Sequence, residues 1–300
     1  MNYHHTLKHG NIFKVIKVRL TCNWCSDEAL YERFQRCYVS SLNSSNIQFT
    51  ASEEYDWLVI INHPSRHIEF PKEKTIGIIM EPSWTGHYNM RHTLETYCNH
   101  ILSHKKETSS QYIFYPGLLP YHFDYNEGEN IDYYINSYFN KTKKCSMIVS
   151  YNETIPHPEC LYKQRTDFAK LILQSDLDID IYGNNWDTSG INDQRIKGPI
   201  LNKKDALLDY EFSIAIENSV ETNYFTEKIT DCVLTDTTPI YYGCENISQF
   251  IDSSYNLSNL SNIIELQTFL QCKPKQQNKQ IMATKYNLYN AIEKYINYSK

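Results

Sequence analysis

Two α/β domains, each a parallel sheet covered by helices and both facing one cleft, are what this 300-residue sequence predicts. Three observations carry that expectation. Val59 to Ile61, Ile76 to Met80, Cys145 to Val149, Phe212 to Ile216 and Ile240 to Tyr242 are near-continuous apolar runs, as strands covered on both faces should be. Helical patterns or polar loops separate them. Tyr115, Pro116 and Gly117 then interrupt the alternation, and residues 117–143 are rich in Tyr, Asn, Asp and Glu with little periodicity. The boundary is therefore expected here, with one domain over residues 1–140, its linker starting near 117, and a second over 141–300.

Residues 12–20 alternate apolar with basic and predict the first strand; Ser26 is the N-cap of a helix reaching Tyr38, with Asp27 and Glu28 in its first turn. Trp57 to Asn62 and Thr75 to Met80 are the next strands, and the second delivers Glu81, Pro82, Ser83 and Trp84 to a loop. In the second domain a strand at Cys145 to Val149 leads through Ser150, Tyr151 and Asn152 to a helix over Leu161 to Gln174. A strand at Leu177 to Tyr182 ends in Gly183, residues 184–200 read as loop, and a short helix over Lys204 to Tyr210 follows. After Gly243 come a helix near Ser248, the run Asn262 to Leu270 and a last helix over Met282 to Tyr298.

The stretch from Tyr210 to Gly243 carries the chemistry. Phe212 to Ile216 hands over to Glu217, Asn218 and Ser219; Thr226 is a good N-cap, with Glu227 in the first turn of its helix; Pro239 is expected to close that helix before the strand Ile240 to Tyr242. Lys228 beside a helix N-terminus suits phosphate, and a carboxylate such as Glu227 suits ribose hydroxyls. The implied ligand is a nucleotide with a diphosphate. Taken one at a time, these residues could equally be ordinary caps and loop groups.

In order and spacing this stretch resembles the donor-binding signature of the α1,3-fucosyltransferases, glycosyltransferase family 10: Glu217, Asn218 and Ser219, then Tyr224, Phe225, Thr226, Glu227 and Lys228, then Pro239 and Gly243. Asn223 stands where animal members usually carry an acidic residue, and Thr235 with Asp236 where many members carry Ala and Gly. The resemblance implies the GT-B fold and an inverting transfer of fucose from GDP-fucose to a glycan hydroxyl. It implies donor-site roles for Arg165, Tyr224, Glu227 and Lys228, loop-ordering roles for Glu217 and Asn218, and a polar loop near the nucleotide at Ser150 and Asn152. It also points to Glu81 as the base that takes the acceptor proton, with His63 as the rival because its pKa naturally lies nearer neutrality. No cofactor or metal is required: nothing like an Asp-x-Asp clamp follows a donor-domain strand, and Asp178 and Asp180 lie within one.

Other classes are weakened by composition. A net charge of −6 with scattered lysines argues against a nucleic-acid partner. The amino terminus is polar and His-rich, and no apolar run approaches a membrane span, so a soluble, cytoplasmic protein resembling the bacterial or viral members is expected. Nine cysteines fit reduced thiols better than a disulfide framework. Cys22 and Cys25 flank Trp24 as a CxxC before a helix, which is also the layout of a redox site; packing at a helix start is the preferred explanation. The alternatives that stay open are a relative using another nucleotide sugar and a non-catalytic nucleotide-sugar-binding protein.

Overall fold

The computed structural model describes residues 15–37, 47–89, 91–117 and 125–298. The first part of the expected opening strand, the end of its helix at Tyr38 and part of the expected linker lie outside them. In the first domain the strands are β1 (Ile16–Thr21), β2 (Ile47–Thr50), β3 (Trp57–Ile61), β4 (Thr75–Ile78), β5 (His100–Ser103) and β6 (Tyr112–Phe114), all parallel in the order β2-β1-β3-β4-β5-β6. Helix α1 (Asp27–Arg36) starts where Ser26 accepts the Ala29 N–H. Between β4 and β5 run α2 (Gly86–Asn89) and α3 (Arg91–Tyr97), and α4 (Ile131–Asn136) lies in the stretch that lacks periodicity.

The second sheet is again wholly parallel: β7 (Lys143–Ile148), β8 (Ile179–Tyr182), β9 (Ile196–Gly198), β10 (Tyr210–Ile216), β11 (Thr238–Tyr242) and β12 (Tyr255–Asn256), ordered β12-β11-β10-β7-β8-β9. Helix α5 (Tyr162–Leu173) packs Phe168, Ala169 and Ile172 on one face with Ile214 and Ile216; α6 (Glu227–Leu234) packs Ile229, Cys232 and Val233 on the other with Ala215 and Tyr241. This side-chain alternation along β10 follows from the pleat. The chain ends in α7 (Ile264–Gln271), α8 (Lys279–Lys285) and α9 (Leu288–Tyr298).

Several expectations need correction. Pro239 does not close a helix; α6 ends at Leu234 and Pro239 sits inside β11 opposite Ser213. The Glu217 N–H donates to the Tyr242 carbonyl on the β10 side, and the Leu257 N–H donates to the Tyr241 carbonyl on the β12 side. Pro239, two residues before Tyr241, therefore turns its missing N–H toward β12, whose pairing with β11 begins only at Ile240. Residues 184–200 are not all loop: Trp186–Thr188 is a 3-10 turn, with the buried Trp186 indole donating to the Val149 carbonyl at 2.8 Å, and β9 follows. The helix expected over Lys204 to Tyr210 is a 3-10 turn at Lys203–Ala206, and Tyr210 already belongs to β10.

The terminal helix also departs from expectation, because it splits at Asn287. That residue's amide donates to the Cys37 carbonyl at 3.0 Å, its carbonyl accepts the Tyr115 hydroxyl at 3.0 Å, and its Oδ1 accepts the Tyr289 N–H. Tyr289 then packs edge-on against Phe49 at 3.9 Å and near Phe34 at 5.6 Å. So α9 covers the first sheet, although by sequence it was grouped with the second domain. Asp236 takes φ of +57° and pairs with Lys279 at 2.8 Å. Asp tolerates this left-handed backbone better than most residues.

Candidate active site

The carboxyl ends of the two sheets face each other, as ligand sites of open α/β sheets require. On the second sheet, Glu217 ends β10 with 0 % exposure. Its Oε1 accepts the Thr226 N–H at 2.9 Å and its Oε2 accepts the Thr226 hydroxyl at 2.7 Å; the Tyr241 hydroxyl adds a third bond at 3.3 Å. Thr226 in turn caps α6, its Oγ accepting the Lys228 N–H. Gly243 is required beside them, because a Cβ there would lie 2.5 Å from Glu217 Cγ. Glu217 thus shapes the loop and has no exposed surface to offer a ligand.

Asn218 does similar work for α5. Its carbonyl accepts the Leu161 N–H at 2.9 Å and its Oδ1 accepts Arg165 Nη1 at 2.9 Å. Arg165 is half-buried, and burial lowers its pKa while the charges of Glu217 and Glu227 work against that. A guanidinium stays protonated regardless. Its Nε is buried without a hydrogen-bond partner among the described residues. Lys228 Nζ stands 3.6 Å from Glu217 Oε2 and 3.4 Å from Glu227 Oε1.

Arg165, Lys228 and Glu227 line a cavity of about 200 Å³ whose apolar wall includes Ile148, Leu207 and Ala215. Lys203 and Asp231, which sequence reasoning missed, complete its charged lining. Lys203 Nζ meets Glu227 Oε1 at 2.9 Å and Asp231 Oδ2 at 3.6 Å. Burial pushes the Asp231 carboxyl up to about 7, Glu227 adds to this, and Lys203 opposes it. Asp231 lies one turn beyond Glu227 on the same helix face, a spacing that could have flagged it.

Ser150 and Asn152 are engaged locally: Ser150 Oγ accepts the Asn184 N–H at 3.2 Å, and Asn152 Oδ1 accepts the Thr154 N–H at 2.9 Å. Neither lines the cavity. Tyr224 is 3 % exposed and packs 5.1 Å from the His104 ring, between the domains. Burial drives its phenol pKa well up, and the carboxylates of Glu217, Glu81, Glu227 and Glu221 raise it further. Glu81 also raises the pKa of Tyr162, behind the larger effect of burial. The Glu81 carboxylate therefore stands close enough to α5 and the Tyr224 loop to act on both electrostatically. His63 lies two residues beyond β3, with Nδ1 3.3 Å from the Pro64 carbonyl.

The CxxC is separate from this site. Cys22 and Cys25 are free thiols with sulfurs 3.4 Å apart, and burial pushes Cys22 up to about 12. A reactive dithiol needs a lowered pKa. A dithiol reductase assay of the parent beside Cys22→Ser with Cys25→Ser should find no activity that the substitutions remove; loss of a dithiol reductase activity in that variant would revive the redox explanation. Among the described residues no group of three or more His, Cys, Asp or Glu could hold a metal ion, and no helix is long and apolar enough to cross a membrane.

Residues 138–279 match the family model described as glycosyltransferase family 10 (fucosyltransferase) C-term. The chain carries a family 10 fucosyltransferase domain. A fucosyltransferase-like protein of Arabidopsis thaliana is 25 % identical over 126 residues, 42 % of this chain; the match spans 22 % of that relative's length. An α1,3-fucosyltransferase solved with GDP-fucose superposes with a TM-score of 0.52 at 13 % identity, covering 99 % of this chain and 93 % of that one. AviGT4, a glycosyltransferase involved in avilamycin A biosynthesis, gives 0.53 at 9 % identity, covering 95 % of this chain and 96 % of its own. The fold is accordingly GT-B, and Arg165, Glu227 and Lys228 fall within the residues that match the family model.

Proposed function

We propose that this protein is an inverting fucosyltransferase that moves fucose from GDP-fucose to a glycan hydroxyl. The observation that carries the proposal is the pairing of two cations, Arg165 and Lys228, with the carboxylate Glu227 around one cavity, across the cleft from Glu81. Arg165 and Lys228 hold the diphosphate and stabilise the charge that builds on it as the glycosidic bond breaks. Glu227 accepts hydrogen bonds from ribose hydroxyls, and the apolar wall of Ile148, Leu207 and Ala215 faces the nucleoside. Glu81, from the other domain, takes the proton of the acceptor hydroxyl as that oxygen attacks the anomeric carbon from the face opposite the diphosphate. Glu217, Asn218 and Tyr224 order the loops around these groups, while Ser150 and Asn152, bonded to Asn184 and Thr154 and outside the cavity lining, are given no donor contact.

Heat protection tests the donor. A ligand that binds only the folded state stabilises it by RT ln(1 + [L]/Kd), about 2.7 kcal/mol at a hundredfold excess over Kd. GDP-fucose should raise the melting temperature more than GDP-mannose or UDP-sugars do. Equal shifts for all GDP-sugars, or none, would remove the fucose assignment, and preference for a UDP-sugar would make this a relative with another donor.

A further inference from the structure

We propose that Glu221 is a positioning residue: it clasps the loop carrying Glu81 to the second domain and so sets where that carboxylate stands over the donor site. The inference rests on the assignment of Glu81 as base given above. Glu221 belongs to the second domain, in the loop between β10 and α6, yet its carboxylate is bonded mainly to the first. Oε1 accepts the Ser83 N–H at 2.8 Å, Oε2 lies 3.1 Å from His104 Nε2, and the Ser219 hydroxyl donates to Oε1 at 3.2 Å. A carboxylate can only accept here, so His104 Nε2 carries the proton of that bond. The His104 and Glu221 side chains are 5 % and 10 % exposed. Burial works to raise the Glu221 carboxyl, but its bonds from His104 and Ser83 hold it below the usual range.

The consequence for Glu81 follows from chain connectivity. The Met80 N–H donates to Asn62 Oδ1 at 2.8 Å, within the first domain, and the Ser83 N–H donates to Glu221, within the second. Only Glu81 and Pro82 lie between Met80 and Ser83. The proline ring fixes its own φ and restricts the backbone of Glu81 before it. Trp84, next in line, stacks on His157 at 5.9 Å and 12°, and meets Tyr162 edge-on at 6.1 Å. Cutting the Glu221 bonds removes the backbone anchor on the carboxyl side of Glu81, beside the Trp84 packing, while leaving Arg165, Glu227 and Lys228 in place.

Two variants and two readouts test this. Glu221→Ala should lower kcat for acceptor-dependent transfer by about 10²-fold, the scale of a misplacement of about 1 Å in a catalytic group, with the Kd for GDP-fucose unchanged. Exchange of the Ser83 amide with solvent should accelerate in the same variant. Glu221→Gln keeps an oxygen for Ser83 and turns its NH2 to His104, whose Nε2 then accepts with the ring proton on Nδ1, so it should restore most of the rate, and it preserves the test should the alanine variant fold poorly. Faster exchange with kcat within about threefold of the parent would overturn the positioning role, since a displaced base must cost more than that. Unchanged exchange would overturn the clasp itself, and a parallel loss of donor affinity would assign Glu221 to the donor site instead. A parent protein that transfers no fucose would overturn the proposed function, and the positioning role with it, while the exchange arm, which needs no activity, would still report whether the clasp exists.

Discussion

Glu81→Gln should reduce acceptor-dependent transfer by about 10² to 10⁴, the usual worth of general base catalysis. The amide keeps the shape of the carboxylate and removes its basicity, so the acceptor hydroxyl loses its proton sink. GDP-fucose binding should hardly move, because Arg165 and Lys228 lie on α5 and α6 beside the second sheet while Glu81 follows β4 of the first. The parent rate should rise with pH through a single ionisation, because a base works only when deprotonated, and Glu81→Gln should abolish that ionisation. With His63 as base the ionisation would persist in Glu81→Gln and vanish in His63→Gln. Turnover of both variants beside their GDP-fucose affinities decides the matter. A Glu81→Gln enzyme within about threefold of the parent would end the assignment, since general base catalysis is worth at least about 10².

The contrast between Glu81 and Glu221 marks where sequence reasoning stops. Covered parallel strands write themselves as apolar runs, so β3, β4, β7, β10 and β11 were legible, as were the caps Ser26 and Thr226. The strands that escaped, β2, β5, β6, β9 and β12, have two to four residues, too few to show a period, and all but β5 lie at sheet edges. The motif from Glu217 to Lys228 was legible because one β-loop-α unit holds its residues together. Lys203 reaches Glu227 from another loop 24 residues away, and Glu221 meets Ser83 and His104 across separations of 138 and 117 residues. No local pattern encodes such contacts; they exist only once two sheets face each other. Asn287 is the same case, since the first-domain groups that interrupt the terminal helix lie far from it in the chain.

Arg165→Ala should weaken GDP binding by about 1.5 to 3 kcal/mol, the worth of a hydrogen bond to a charged group. In affinity that is about tenfold to 150-fold. Among the described residues the one side-chain hydrogen bond of the guanidinium goes to Asn218, a neutral amide that can turn to water, and Glu217 and Glu227 act on it only beyond ion-pair distance, so little is stranded by the substitution. Lys228→Ala should cost a similar amount of binding but should also lower the melting temperature. Its ammonium lies 3.6 Å from Glu217 Oε2, and Glu217 is wholly buried, so removing the cation strands a charge. The bonds from Thr226 and Tyr241 soften that loss without neutralising it. Calorimetry with GDP alone, run beside thermal scans without ligand, separates the two effects: Arg165→Ala should change the first and leave the second nearly untouched, whereas Lys228→Ala should change both. If Arg165→Ala bound GDP as tightly as the parent, the cation at the start of α5 would have no part in holding the diphosphate, and Lys228 would remain as the phosphate ligand in the cavity lining.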